Sequence, residues 1–415
     1  QNGFDLANPP LMRVTLLTCA SESDQGTPTV HVIWTHHHLI MDGWCVNVLM
    51  QQLIQNCWAT EIHPSSDRGV LDAYYGSLAT ADHTESRTFW QHYLSGAIQP
   101  TLLAPWPQHA RKSVNEASRS ERAVETLALS PELSLAIGQC AAQHQTTTAQ
   151  LWRVIWGWLL TQQTQSSDVF FGTVVSGRPA TIAGIDRAVG LFINTRPIRF
   201  LTEGCHTVGE LLKRVTQDAV ACRPHESLTL AEIQSLSALP SDQPIFDSLL
   251  VFENYPMDER FRGEGTEGAD ASSWQIGKIR SNESTEYPLT LVIEPSQRGT
   301  QLLLQYDSEK YAQSQIESLL QQVHHITQQI VLDELEKLEM LRLLRPEEQR
   351  WLADEWNATG CDFPRETHLH TLVQHQMEAR PDAIAIVDAS GALTYEALWA
   401  ASVRLAATVQ AHEHF

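Results

Sequence analysis

The sequence predicts an α/β layer protein with helices packed on mixed sheets, from three observations. Strand-length runs of β-branched and aromatic residues alternate with helix-period apolar stripes along most of the chain. Acceptor side chains, Asp42 and Ser130 among them, stand just ahead of those stripes, where a helix N-terminus needs them. Hydrophobic residues make up 42% of 415 residues, enough to fill real cores.

Taken in order, the opening residues FDLANPPLMRVTLL run straight into strand-like alternation, and Thr29 to Thr35 reads as a strand. Trp44 to Trp58 then sets Val46, Leu49, Met50, Leu53 and Cys57 on one helical stripe, with Asp42 placed to cap it. Pro64 to Asp67 reads as loop, Arg87 to Leu94 as a short helix, and Pro100 to Asn115 as a crossing segment punctuated by prolines. A second unit opens near Arg119 with a strand over Arg122 to Leu129, a helix capped by Ser130, and a helix over Thr147 to Gln163. Strands are predicted at Asp168 to Val175, Asp247 to Glu253, Leu289 to Glu294 and Leu302 to Tyr306. Helices are predicted at Val208 to Ala221 and Gln313 to Leu335. From Pro346 to Thr367 the pattern turns polar and reads as a linker. A helix over Leu369 to Ala379, a strand over Ala383 to Val387 and a final helix after Tyr395 follow it. Both ends read as cut from a longer chain, and no internal repeat is evident.

Charge and cysteine usage narrow the function. Lys and Arg number 28 against 49 Asp and Glu, a net charge of −21 that would repel a nucleic-acid backbone or an anionic membrane. Apolar stretches such as Val154 to Leu160 are far shorter than the roughly 20 residues a bilayer needs. The first residues carry neither the basic flank nor the apolar stretch of a signal peptide. Seven cysteines (Cys19, Cys45, Cys57, Cys140, Cys205, Cys222, Cys361) are widely spaced without a CxxC pair, which reads as reduced core residues of a cytoplasmic protein.

The segment His36, His37, His38, Leu39, Ile40, Met41, Asp42, Gly43 joins a strand to a helix and is where chemistry is expected. As plain structure, it is a set of hydrogen-bonded polar residues at a strand end. As a metal site, it offers His36 and His38 but no second ligand cluster. As a hydrolase triad, it lacks a GxSxG nucleophile turn. As an acyl-transfer site, it needs no enzyme nucleophile: a neutral imidazole takes the proton of an attacking amine, and backbone N–H groups near Gly43 face the developing oxyanion.

HHLIMDG followed by Trp44 resembles the HHxxxDG motif of condensation domains of nonribosomal peptide synthetases, a motif shared with chloramphenicol acetyltransferase and its relatives. FDLANPPLMR (Phe4 to Arg13), TVVSGRPA (Thr173 to Ala180), GLFINTRP (Gly190 to Pro197), RPHESLTLAEIQ (Arg223 to Gln234) and IFDSLLVFENYP (Ile245 to Pro256) resemble further motifs of that family in the expected order. LHTLVQHQ, PDAIAIVD and LTYEAL look like the start of an adenylation domain.

That resemblance implies a chloramphenicol-acetyltransferase-like fold of two lobes. Residues 1–115 would be the remainder of the N-lobe, 116–345 the C-lobe, 346–367 a linker and 368–415 the beginning of an adenylation domain. It implies amide formation between a donor thioester and an acceptor aminoacyl thioester on phosphopantetheine arms of upstream and downstream carrier domains, with no cofactor or metal bound by this chain. The implied catalytic set is His38, His37, Asp42 and Gly43; Asn194 falls where the family lines its substrate tunnel and Arg178 and Trp44 are grouped with it, a purely structural role being the alternative for Asn194 and Arg178. In the family the aspartate pairs with an arginine, expected here upstream of Gln1.

Departures are Pro9 for a glycine, Thr229 for a proline and Arg196 where an aliphatic residue is more usual. His37 excludes the DxxxxD pattern of heterocyclisation domains. An epimerisation domain, a silent docking module and a stand-alone acyl-CoA-dependent acyltransferase are the remaining alternatives; the intact motif and the adenylation-like tail weigh against them.

Overall fold

The computed structural model describes residues 3–19, 29–57, 68–97, 99–106, 122–240, 243–253, 285–296, 299–362, 365–389 and 391–412. It divides into two compact units, Gln1–Arg345 and Pro346–Phe415.

In the first unit, β1 (Met12–Cys19) and β2 (Thr29–His36) form an antiparallel hairpin in which Met12 faces His36 and Val14 faces Trp34. β2 leads through the histidine turn into α1 (Gly43–Cys57), and α2 (Arg68–Thr80) and α3 (Thr84–Tyr93) follow. The predicted loop at Pro64 to Asp67 and most of the crossing segment to Asn115 lie outside the described residues. Thr101 pairs with Phe246 as an isolated bridge, so the near end of that segment runs along the main sheet.

The main sheet has six strands in the order β3-β8-β7-β6-β4-β5, from β3 (Arg122–Ala128), β4 (Asp168–Val175), β5 (Asn194–Leu201), β6 (Ser248–Phe252), β7 (Leu289–Ser296) and β8 (Gly299–Asp307). It is mixed: β4 and β7 run parallel to β6, and the outer pairs are antiparallel. Helices α4 (Pro131–Gln143), α5 (Thr148–Thr164), α6 (Val208–Cys222) and α8 (Gln313–Val331) contribute buried faces to one continuous core with these strands, and the short α7 (Leu230–Ser235) lies beside β5.

Local chemistry explains the helix starts. Ser130 accepts from Leu133 N and Thr147 from Gln150 N, while Thr207 and Thr229 form complete capping boxes with Glu210 and Glu232. α5 is the central helix, buried without interruption from Leu151 to Thr161. Its Gly157 lets the backbone press onto β5, because a Cβ there would lie 2.5 Å from the Phe200 ring. Each large side chain buried in this core, such as Leu151 or Phe171, contributes roughly 1.5–3 kcal/mol of transfer free energy.

The strand and helix expectations hold with small shifts. β4 spans Asp168–Val175 as predicted, whereas α8 ends at Val331 rather than at Leu335, where Glu334 takes a φ of 49° and stops the helix. α2, β5 and α7 were not foreseen.

In the second unit, the stretch expected to be a linker begins with the short helix α9 (Pro346–Arg350), which continues into one wide turn over Trp351–Glu355. α10 (Leu369–Ala379), a hairpin of β9 (Ile384–Asp388) and β10 (Gly391–Thr394), and α11 (Tyr395–Gln410) complete the unit. Thr394 caps α11 by accepting from Ala397 N at 3.2 Å.

Candidate active site

The histidine segment folds as it does because its second histidine acts as a cap. At the end of β2, His37 N donates to Leu11 O (2.9 Å), which fixes the turn to the flank of β1. The Nδ1 of His37 accepts from Leu39 N at 3.0 Å and bends His38–Ile40 into a single 3-10 turn. Accepting at Nδ1 leaves a neutral His37 with its proton on Nε2. His38 stands on that turn with its ring exposed, and nothing among the described residues bonds to it.

Asp42 then starts α1. It is 1% exposed, and its Oδ1 accepts from Cys45 N at 3.1 Å, the N-cap arrangement foreseen from the sequence. The same carboxylate takes Arg178 Nη2 at 3.2 and 3.4 Å and Phe192 N at 3.1 Å. A buried charge needs this satisfaction, since an unpaired one costs several kcal/mol. The arginine expected upstream of Gln1 is thus found within the chain: Arg178 serves Asp42.

Arg178 comes from the loop between β4 and β5. Gly177 makes its approach feasible, holding a φ of 59° so close to Phe192 that a Cβ would lie 1.7 Å from that carbonyl oxygen. Nη1 of Arg178 donates to Ile185 O (2.5 Å) and Ala188 O (2.8 Å), and its guanidinium lies 4.1 Å from the Phe192 ring centroid. Trp44 Nε1 donates to Asp186 O at 2.7 Å, and Tyr74 of α2 packs edge-on to Phe192. The loop over residues 176–193 is therefore clamped against the histidine turn and α1–α2 by charge, backbone bonds and aromatic packing together.

The side chain of Arg178 is 4% exposed and directed at protein groups, and it holds the turn. Trp44 is likewise engaged through its N–H. Asn194 begins β5, and its side-chain amide donates to Glu226 O (2.9 Å) and Leu228 O (2.7 Å), tying the strand to the turn ahead of α7. Gly43 opens α1, so its N–H is among the donors that have no acceptor within the helix.

Sequence reasoning passed over Cys45, whose thiol lies among Asp42, Arg178 and Gly190, and Phe192, whose N–H and ring both serve the clamp. It also passed over a buried charged cluster beside β5. There Arg196 pairs with Glu226 (3.4 Å) near Arg153, whose guanidinium is lowered to about 10 chiefly by burial. Burial likewise raises the carboxyl of Glu226 against the pull of Arg196. Among the described residues, no group of three or more His, Cys, Asp and Glu is placed to hold a metal, and no helix is long and apolar enough to cross a membrane.

The condensation domain family model matches residues 1–353. Bacitracin synthase 3 of Bacillus licheniformis is 31% identical over 407 residues, covering 96% of this chain and 6% of its own length. Bacitracin synthase 1 of the same organism is 31% identical over 403 residues, covering 96% of this chain and 7% of its own length. The chain thus spans less than a tenth of either relative.

Among solved structures, a holo four-domain nonribosomal peptide synthetase bound to AMP and glycine superposes with a TM-score of 0.73 at 18% identity, over 95% of this chain and 30% of that one. The first condensation domain of the CDA synthetase gives 0.62 at 15% identity, over 82% of this chain and 72% of that one. Both likenesses establish the expected two-lobe fold class. With the histidine turn, its buried counter-ion and a family match over most of its length, the chain belongs to the condensation domain family.

Proposed function

We propose that this chain is the condensation domain of a nonribosomal peptide synthetase, joining a donor acyl or peptidyl thioester to the amine of an acceptor aminoacyl thioester. The observation that carries the reading is the division of labour in the turn: His37 is spent on capping, Asp42 on the Arg178 clamp, and His38 alone is left exposed and uncommitted.

In the proposed step the acceptor nitrogen attacks the donor carbonyl, the C–N bond forms and the C–S bond breaks. His38 takes the proton lost by nitrogen, and the donor's thiolate leaves and is protonated to a thiol. In this reading the Gly43 N–H, at the start of α1 and without an acceptor inside the helix, stabilises negative charge on the carbonyl oxygen. Both substrates would arrive on pantetheine arms of upstream and downstream carrier domains, so tethering raises their local concentration and positioning supplies much of the rate. The chain supplies no cofactor of its own in this scheme.

The finer assignments belong to the same proposal. We read residues 1–115 and 116–345 as the two lobes, 346–367 as a connecting segment and 368–415 as the beginning of an adenylation domain. We read the N-lobe as only part of a larger one. The β1–β2 hairpin supports this, since Val14, Leu16 and Val32 share one face of it and are 57%, 64% and 58% exposed, a surface that a completed sheet and its helices would cover. A cytoplasmic location fits the free thiols at Cys19, Cys45, Cys140, Cys205, Cys222 and Cys361.

The experiment is intact-mass analysis of the acceptor carrier after the parent protein is mixed with a loaded donor carrier. Donor mass appearing on the acceptor through an amide supports the reading, and an acceptor that keeps only its own aminoacyl group contradicts it.

A further inference from the structure

The thiol of Cys45 sits where the histidine turn, α1 and the 176–193 loop meet, and it is fully buried. Its Sγ lies 3.0 Å from Gly190 O, 3.1 Å from Asp42 Oδ1, 3.1 Å from Arg178 Nη2 and 3.3 Å from Gly190 N. These two oxygens, with Ala188 O at 3.9 Å as a more distant third, are acceptors for its one proton. The two nitrogens are donors for its lone pairs.

We propose that Cys45 is a positioning residue for amide transfer: its thiol is the junction that fixes the His38 turn relative to the 176–193 loop. This deepens, and rests on, the condensation reading of the same site. Asp42 caps α1 and is three residues from Cys45, so any shift of the Asp42 carboxylate is passed directly to the turn it ends. Arg178 Nη2 divides its two hydrogens between Asp42 and Sγ. Removing the sulfur frees one of them and lets the guanidinium swing within its fork.

Gly190, with both its N–H and its C=O on Sγ, would also lose its hold. Phe192, two residues on, would then present its N–H to Asp42 from a changed position. Burial raises the thiol above its ordinary value and keeps it protonated, so the donor remains in place at neutral pH.

The contacts are polar and short, so a hydroxyl should make them as well as a thiol, whereas a methyl group makes none. That contrast separates positioning from packing. The parent protein is prepared as wild type, Cys45→Ser and Cys45→Ala, and condensed product on the acceptor carrier is followed by intact mass at saturating and limiting carrier. Cys45→Ala should lower kcat on the order of 10- to 100-fold, the scale of a small misplacement of reacting groups, with the KM for acceptor carrier unchanged. Cys45→Ser should restore most of that loss. Equal losses in the two variants, or wild-type kcat in Cys45→Ala, would overturn the assignment.

If Cys45→Ala does not fold, Cys45→Val, which lacks the polar group without leaving a void, is measured in its place. Failure of both to fold while Cys45→Ser folds also counts against it, because the thiol would then serve stability and not the aim of the turn. A second readout needs no turnover: the ring resonances of His38, identified by their loss in His38→Ala, should shift in Cys45→Ala and return in Cys45→Ser. Unmoved resonances overturn the positioning role even in an inert protein, whereas a wild type that condenses nothing while its resonances respond sinks the condensation reading alone.

Discussion

Arg178 and Asp42 form an ion pair of 3.2 Å across 136 residues of sequence, with side chains 4% and 0% exposed. Two buried charges with so many hydrogen bonds define one arrangement of the histidine turn against the 176–193 loop, because any other leaves a charge without its partners. The rigidity of the turn follows from that pair, and the freedom of the His38 ring follows from His37 and Asp42 being otherwise engaged.

Removing one partner should therefore be costly. Arg178→Ala leaves the Asp42 carboxylate buried with only the Cys45 and Phe192 N–H groups and the Cys45 thiol as donors, and should destabilise the first unit by about 3–5 kcal/mol in denaturant unfolding. Asp42→Ala should cost a similar amount, and the double variant should cost clearly less than the sum of the two. Additive losses would show that the pair is not coupled.

Gly177 offers a sharper test of the loop. Any side chain there meets the Phe192 carbonyl and must also adopt a left-handed conformation, so Gly177→Ala should displace the 176–193 loop. A loss of at least about 2 kcal/mol is expected, the lower end of the range for strain combined with a broken buried contact. A neutral Gly177→Ala by thermal unfolding would contradict the close approach.

Asp218 on α6 predicts a pH dependence. Burial raises its carboxyl and Arg214 only partly offsets this, so its folded pKa lies above the unfolded value. The folded state then binds the proton more tightly, and the group's destabilising contribution develops as pH rises from the unfolded value through the folded one. Asp218→Asn should stabilise the protein at pH 7, with a benefit that fades as the solution is acidified. An equal benefit at every pH would count against the burial argument.

Much of the fold was legible because caps and periodicity are local. Ser130, Thr147 and Asp42 each begin a helix where the pattern placed one, and the alternation over Asp168 to Val175 is a strand of those bounds. β5 was hidden by Arg196, Pro197 and Arg199, residues that weaken a strand signal. It occupies the sheet edge, where a proline with no N–H can be accommodated. α2 was hidden because Gly69, Gly76 and small residues dilute its stripe, and its order comes from packing Tyr74, Val70 and Leu71 on Ile185 and Phe192.

In the site, the histidine motif was evident from residue types and spacing. The identity of Asp42's partner was not, since a contact spanning so much sequence leaves no periodic trace. The role of His37 as a cap was equally invisible, because the same residue type serves catalysis and capping, and only the Leu39 N–H at 3.0 Å from its ring distinguishes them.

The central claim is that the exposed imidazole of His38 moves the amine proton while its neighbours hold the turn. The most direct measurement compares His38→Ala with wild type in the parent protein, following condensed product on the acceptor carrier together with the thermal midpoint. Because the His38 ring makes no internal bond, the midpoint should stay at the wild-type value while product formation falls on the order of 10²- to 10⁴-fold, the range for removal of a general base. Undiminished product from His38→Ala would contradict the account.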